Sequence, residues 1–243
     1  MKFQLTKGHN IQIAGVPKRE IVSSGNLEKV ALKPSEFRGI KPKLLVKKGE
    51  SVKTGQPLFF DKKNPDVSFA SPGCGAVSAI NYGPKRIINS IEITLKGNES
   101  IQHESVRSHE IYSLDRGAII SKILAGGLWP VIKQRPFNAI ADPKATPRAI
   151  FISGYNSAPL TVDLDLALSE QTGPFQTGLN VLRRMTDGYV HLTVPEGTVS
   201  ETLVNAEGVR IHYVKGPHPA GNVGIQIHHI DPLNPGETIW TIS

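Results

Sequence analysis

Two glycines six residues apart, Gly49 and Gly55, constrain the fold of this 243-residue chain more than any other feature. They sit in Leu45-Val46-Lys47-Lys48-Gly49-Glu50-Ser51-Val52-Lys53-Thr54-Gly55-Gln56-Pro57-Leu58. A return segment, Ala70-Ser71-Pro72-Gly73-Cys74-Gly75-Ala76-Val77-Ser78-Ala79-Ile80, follows. A tight turn demands a positive φ that glycine alone reaches without steric cost. Val46, Val52 and Leu58 alternate with Lys and Thr as half-buried strands do. Turns at Gly49, Gly55 and Gly73-Gly75 between such short strands predict a small flattened β-barrel.

Biotinyl and lipoyl carrier modules share this pattern, as do large electron-transfer subunits that use the same shape. A carrier must present one modifiable lysine at the tip of the hairpin between its halves. Here the turn dipeptide Asn64-Pro65 marks the expected tip, Lys62 and Lys63 precede it, and Pro65 takes the carrier lysine's place in register with Leu58. The expectation is a barrel used as a scaffold, with no covalent lipoyl or biotin.

The length suggests one or two domains, and 39% hydrophobic residues suffice for a sizeable core. No apolar run approaches the roughly 18 residues of a membrane span, and Met1-Lys2-Phe3-Gln4-Leu5-Thr6-Lys7 holds no secretory signal. A cytoplasmic protein is expected. The single cysteine, Cys74, can form no internal disulfide and rules out a cysteine-ligated iron–sulfur cluster within the chain. The net charge of +7 comes partly from clusters at Lys41, Lys43, Lys47, Lys48 and Lys53, at Lys62-Lys63 and at Lys85-Arg86. These lysines alternate with strand residues, lack interleaved aromatics and match no nucleic-acid-binding motif. They read as a solvated face, turned toward an anionic membrane surface or an acidic protein partner, with no nucleic acid as partner.

The texture changes once along the chain. Residues 1–100 read as an all-β module holding the biotinyl/lipoyl-like barrel-sandwich, with strands at Ile11–Gly15, Val30–Leu32, Lys43–Val46, Leu58–Phe60, Val67–Phe69 and Ile88–Ile93. Residues 101–148 read as a connecting helix and loop. Asp115 is the candidate N-cap, Ile119, Ile120, Ile123 and Leu124 share a face, and Gly126-Gly127 is the stop. Residues 149–243 read as a Rossmann-like α/β domain with following strands. Ala149–Gly154 is its first, buried parallel strand. Helices near Thr161–Glu170 and Pro174–Thr186 follow, the second with Leu179, Leu182 and Met185 on one stripe and Gly188 as its cap. Tyr189–Val194 and Val209–Val214 are the next strands, in a β-α-β-α-β run. Lys215–Asn222 reads as a loop, and Ile225–Ile230 and Thr238–Ile242 as further strands. A chain ending directly on an apolar strand suggests a piece of a longer protein.

A barrel followed by a Rossmann-like layer resembles the flavin- and NADH-binding subunit of respiratory complex I. There a glycine-rich loop, falling near Gly126–Phe137 here, holds the flavin phosphate. This chain lacks that loop: Trp129, Pro130 and Val131 stand where close backbone approach to a phosphate requires glycines. Four separated motifs, Gly127-Leu128-Trp129, Arg135-Pro136-Phe137, Asp61–Pro65, and Gly216–Gly221 with Trp240-Thr241-Ile242, instead resemble the A-subunits of the bacterial Na⁺-translocating NADH:quinone oxidoreductase. The likeness runs from Lys7-Gly8 to Ile242, and members of that family continue for a comparable length beyond it.

The resemblance implies a peripheral subunit on the cytoplasmic face of the bacterial inner membrane, within a sodium-pumping respiratory complex of six subunits. Its implied partners are the other subunits, especially a membrane-embedded flavin-carrying one, and ubiquinone. It implies scaffolding, a contribution to ubiquinone reduction and no redox centre in this subunit, so that catalysis belongs to the assembled translocase. A quinone- or flavin-binding electron-transfer subunit related to the complex I flavoprotein is the alternative.

Site residues have two readings each. Trp129, Arg135 and Phe137 have the aromatic walls and the donor that a quinone needs, and equally suit a turn between domains. His218, stiffened between Pro217 and Pro219, is a donor to a quinone oxygen or simply part of a shaped loop. His212, His228 and His229 suggest a metal only superficially, because adjacent strand residues point to opposite faces, so no metal is expected. G-x-S-x-G, the P-loop, H-E-x-x-H and G-x-G-x-x-G after a strand are all missing, which argues against an autonomous enzyme or a dinucleotide site.

Overall fold

The computed structural model describes residues 1–23 and 25–242. In chain order the first strands are β1 (Lys2–Gln4), β2 (Lys29–Leu32), β3 (Pro42–Leu44), β4 (Ser51–Val52), β5 (Pro57–Asp61), β6 (Asn64–Ala70), β7 (Gly75–Tyr82) and β8 (Ile88–Leu95). Helix α1 (Arg116–Ala125) and the hairpin of β9 (Lys133–Arg135) and β10 (Ala139–Ile140) come next. The remainder is β11 (Ala149–Ser153), α2 (Leu164–Ala167), α3 (Thr172–Arg183), β12 (Val190–Pro195), α4 (Glu201–Val204), β13 (Arg210–Lys215), α5 (Val223–Ile230) and β14 (Ile239–Ile242).

The barrel-sandwich is made of an antiparallel sheet β2-β8-β7-β4 facing a second one, β3-β5-β6. Gly49 and Gly55 turn the chain at φ 87° and 84°, as their spacing predicts. Between the sheets Leu58, Phe59, Phe69, Val77, Ile91 and Ile93 are buried, with the Phe59 and Phe69 rings stacked 4.4 Å apart.

The hairpin tip differs from expectation. Lys62 and Lys63 form the turn, while Asn64 and Pro65 already belong to β6. The Asp61 carboxylate accepts from the Lys41 N–H (2.8 Å) and the Lys63 N–H (3.1 Å), which pins the turn one step earlier. Pro65 falls in the irregular stretch between the pairs Asp61↔Asn64 and Phe60↔Ser68 on an edge strand, where a missing N–H is tolerated. Two lysines therefore occupy the tip, so the position of Pro65 does not argue against a carrier lysine. Lys63 Nζ donates to the Gly39 carbonyl, and Lys62 is exposed.

The third sheet, that of the α/β layer, runs β1-β13-β12-β11-β14-β9-β10, parallel from β1 through β14 and closed by the antiparallel β9–β10 hairpin. Strand β11 shows why two layers of helix cover it. Its even residues Ile150 and Ile152 join the core shared with α1, α3 and the barrel, while Ala149 and Phe151 pack with Val223 and Ile227 of α5. Alternation along one strand thus supplies both faces. Helix α1 begins where expected, the Asp115 carboxylate accepting from the Ala118 N–H at 2.7 Å. It stops at Gly126-Gly127, and Gly127 (φ 66°) lies so close to Ala70 that a Cβ would collide with it. This contact seats the helix end on the barrel.

Five further expectations are corrected. Residues 225–230, read as a strand, lie in helix α5, because Val223, Gln226, Ile227 and Ile230 recur at the spacing of one helical face. Residues 11–15 are irregular and exposed and pair with no strand among the described residues. The start of the expected β module, β1, adds instead to the α/β sheet beside β13, and the 101–148 connection contributes β9 and β10 to that sheet. Helix α3 ends at Arg183; Gly188 precedes β12 instead, at a point where a Cβ would strike the Arg148 carbonyl.

Candidate functional site

Strands β11, β12 and β13 step outward in one direction, and β14 lies on the other side of β11. The strand order therefore reverses between β11 and β14, and open α/β sheets form their ligand crevice at the carboxyl ends of the strands at such a point. A cleft of about 680 Å³ opens there, lined by Ser153 at the end of β11, Tyr155 and Asn156 just after it, and Arg135 from β9. Gly221 to Ile225, the start of α5, complete its wall.

The floor is organised by backbone and hydroxyl contacts. Ser153 Oγ donates to the Tyr155 carbonyl at 2.9 Å. The Gly221 N–H donates to Ser157 Oγ at 2.8 Å, and Ser157 Oγ lies 3.1 Å from His218 Nδ1. That hydroxyl accepts from Gly221 and has its own proton to give to Nδ1, an arrangement in which a neutral His218 ring is an Nε2–H donor. A side chain at 221 would collide with Asn156 and Ser157, so glycine is required for this approach. The loop is also held by the N-terminal segment: the His218 N–H donates to Asn10 Oδ1 (2.8 Å) and its carbonyl accepts from His9 (2.9 Å).

Arg135 is the cation of the cleft. Burial lowers its guanidinium from its ordinary value, and its Nε is enclosed without a hydrogen-bond partner among the described residues. Tyr155, whose hydroxyl donates to the Gly216 carbonyl at 3.3 Å, is held above its ordinary value by burial. An arginine that lines a cleft beside the first turn of a helix suits an acceptor-bearing ligand, either an anion or a carbonyl.

The four residues singled out in the sequence do not form one pocket. Arg135 lines the cleft, and His218 borders it through Ser157 and Gly221. Trp129 is fully buried elsewhere, its Nε1–H donating to the Ala141 carbonyl at 2.7 Å and its ring edge-on to Trp240 at 5.4 Å. Phe137, at the β9–β10 turn, is 77% exposed. Ser153, Tyr155 and the start of α5 escaped the sequence reading. The small residues after a buried strand were the available signal, but the strand assigned at 225–230 concealed the helix that faces them.

A second polar cluster lies toward the amino ends of the same strands. His191 on β12 and His212 on β13 are buried and joined Nδ1 to Nε2 at 2.9 Å. Phe151 stacks on His191 at 4.4 Å, and Asp231 Oδ2 is 3.9 Å from His191 Nε2. Arg148 holds Asp231 at 2.7 Å and donates to the carbonyls of Asp231 and Pro232 at the end of α5. Its Nε lies 3.0 Å from Glu237 Oε2, off the hydrogen-bond direction. His212, His228 and His229 are not brought together: His212 faces His191, while the other two are exposed on α5.

Two family models match the chain. The NqrA N-terminal barrel-sandwich hybrid domain matches residues 3–96, and the NqrA second alpha/beta domain matches residues 114–243. Proteins named as the A-subunit of Na(+)-translocating NADH-quinone reductase are similar to it along nearly its whole length. The one from Yersinia pseudotuberculosis is 37% identical over 240 residues, covering 99% of this chain and 54% of the relative. Those from Serratia proteamaculans (38% over 242 residues) and Pseudomonas aeruginosa (36% over 241) share the same coverage. The chain thus spans about half the length of the curated relatives it matches.

Proposed function

The chain belongs to the NqrA family, and from that premise we propose that it works as the A-subunit of a Na⁺-translocating NADH-quinone reductase. In this reading it is a peripheral scaffold on the cytoplasmic face of the bacterial inner membrane, bound to the other subunits and above all to a membrane-embedded flavin-carrying one. It stands beside the ubiquinone-reduction step and carries no redox group of its own. Catalysis belongs to the assembled complex. No helix among the described residues is long and apolar enough to cross a membrane.

The burial of Trp129 carries this reading. In the segment where a flavin-phosphate loop would need bare backbone, the chain folds a short turn at Trp129–Val131 and drives the indole into the core against Trp240. The residues present do not fit a flavin phosphate there. The test is to capture the complex from membranes through a tag on this chain, and separately to purify the chain alone without denaturant. Co-elution with the other subunits and a colourless chain support the proposal. Flavin migrating with this chain in stoichiometric amount refutes it.

The Arg135 cleft favours a second reading, in which this chain itself holds the quinone. Its guanidinium would donate to a quinone carbonyl, with Val162, Leu164 and Val223 as apolar wall. Calorimetric titration with a short-tailed ubiquinone, against a quinone-free hydrophobe of similar size, decides the matter. Saturable binding lost in Arg135→Met supports it, and heat indistinguishable from the control removes it.

A further inference from the structure

One face of the barrel combines exposed apolar residues with unpaired cations. A groove of about 520 Å³ is lined by Leu44, Leu45, Val46, Ile80 and Tyr82, with Lys47 and Lys48 beside them. Leu45 is 51% exposed and Tyr82 50%. Immediately after Tyr82 the chain turns from β7 to β8 through a tip closed by two backbone bonds, Gly83 N–H to Ile87 C=O (2.7 Å) and Ile87 N–H to Pro84 C=O (3.2 Å). Lys85 and Arg86 both adopt left-handed φ, 55° and 58°. Two successive non-glycine residues in that region cost conformational energy, of the kind concentrated at functional surfaces. The result is an exposed Lys85-Arg86-Ile87 tip, with Ile87 at 58%.

None of Lys47, Lys48, Lys85 and Arg86 has a carboxylate partner among the described residues. Glu50, the acidic residue next to Lys47 and Lys48, is turned back to accept from the Lys47 N–H at 2.9 Å.

We propose that this groove, with Leu45 and Tyr82 at its centre and Lys47 and Lys48 beside them, docks together with the adjoining Lys85-Arg86-Ile87 tip on an anionic lipid surface. Phosphate headgroups complement the unpaired cations, and long Lys and Arg stems keep their charges at headgroup level while apolar residues enter the acyl boundary. A tyrosine, apolar in its ring and polar at its tip, belongs at that depth. A protein interface fits less well, since lysines are depleted at such interfaces and their desolvation would need matched carboxylates. The contact is shallow and electrostatic, so it is reversible and weakened by salt.

Sedimentation of the chain with vesicles tests the proposal, using phosphatidylcholine alone or mixed with phosphatidylglycerol. The expected result is binding only with phosphatidylglycerol, lost at high salt and reduced at least about tenfold by Lys85→Glu with Arg86→Glu. Tyr82→Ser with Ile87→Ser should weaken it several-fold at unchanged net charge. Lys62→Glu with Lys144→Glu, the same charge change elsewhere, should retain most of it. No lipid dependence, or equal loss in the control pair, overturns the proposal. So does a chain that ignores vesicles while the Lys85 and Arg86 variants fail to join the membrane subunits, which would assign the face to an acidic protein. Vesicles contain no protein, so failure here leaves the proposed place in the reductase complex standing.

Discussion

His191 and His212 share one hydrogen bond, Nδ1 to Nε2 at 2.9 Å, and neither outer nitrogen of the pair has a hydrogen-bond partner among the described residues. One ring must donate and the other accept, so the neutral pair holds one outward N–H and one outward lone pair. Asp231 near His191 Nε2 favours the tautomer with that N–H outward, in which His212 donates to His191.

Acid should therefore unfold the protein through this pair. Both rings are lowered from 6.5 to about 4, chiefly by burial; Asp231 partly offsets this for His191, while Arg210 and Arg148 reinforce it, and His212 is further lowered by His191. Between these values the unfolded chain binds the protons more readily, so stability is complete above pH 6.5 and falls as pH drops toward 4. The first proton onto the pair costs about 3 kcal/mol across that window. The urea midpoint at pH 7 and 4.5 measures it: a large fall is expected in the natural chain and a flattened one in His191→Phe with His212→Met. An unchanged midpoint in the natural chain would contradict this account.

Trp129→Ala should lose about 3–5 kcal/mol of unfolding free energy, because it empties a buried site and orphans the Ala141 carbonyl. Trp129→Phe should lose less. If Trp129→Ala unfolds at the same denaturant concentration as the parent, the indole is not the core element described.

Asp115→Ala removes the acceptor of the Ala118 N–H and should cost about 1 kcal/mol. Asp115→Asn should restore most of it. Equal losses in the two variants would mean that charge, rather than capping, stabilises the start of α1.

Ser157→Ala removes the partner of both His218 Nδ1 and the Gly221 N–H. Nitrogen-15 shifts of the His218 ring should report an Nε2–H tautomer in the parent and a mixture in the variant. A parent ring protonated at Nδ1 when neutral would reverse the assigned direction of the hydrogen bond.

The intact mass of the chain isolated from cells should equal that of the unmodified polypeptide. Lys62 and Lys63 stand at the hairpin tip, so an added lipoyl or biotinyl mass on either would show that the barrel is a carrier.

Short-range features were legible in the sequence. The turns at Gly49 and Gly55, the Asp115 cap, the Gly126-Gly127 stop and the buried strand at 149–153 all follow from interactions within a few residues, and all stand in the structure. Arg135 was also picked out, from its residue type and its place in a motif. The cleft that uses it was not, because Ser153, Tyr155 and the start of α5 meet only when β11 and β14 pair.

The sequence by itself therefore determined a barrel-sandwich joined to an α/β layer, since glycine turns, caps and hydrophobic period are local consequences of backbone sterics and burial. Tertiary structure alone decided that Ile225–Ile230 is helical, that β1 joins the α/β sheet, and that His191 meets His212 across neighbouring strands. An apolar, β-branched run satisfies either period until a neighbouring surface selects the face it buries. A strand edge, likewise, is filled by whichever segment the completed fold brings to it.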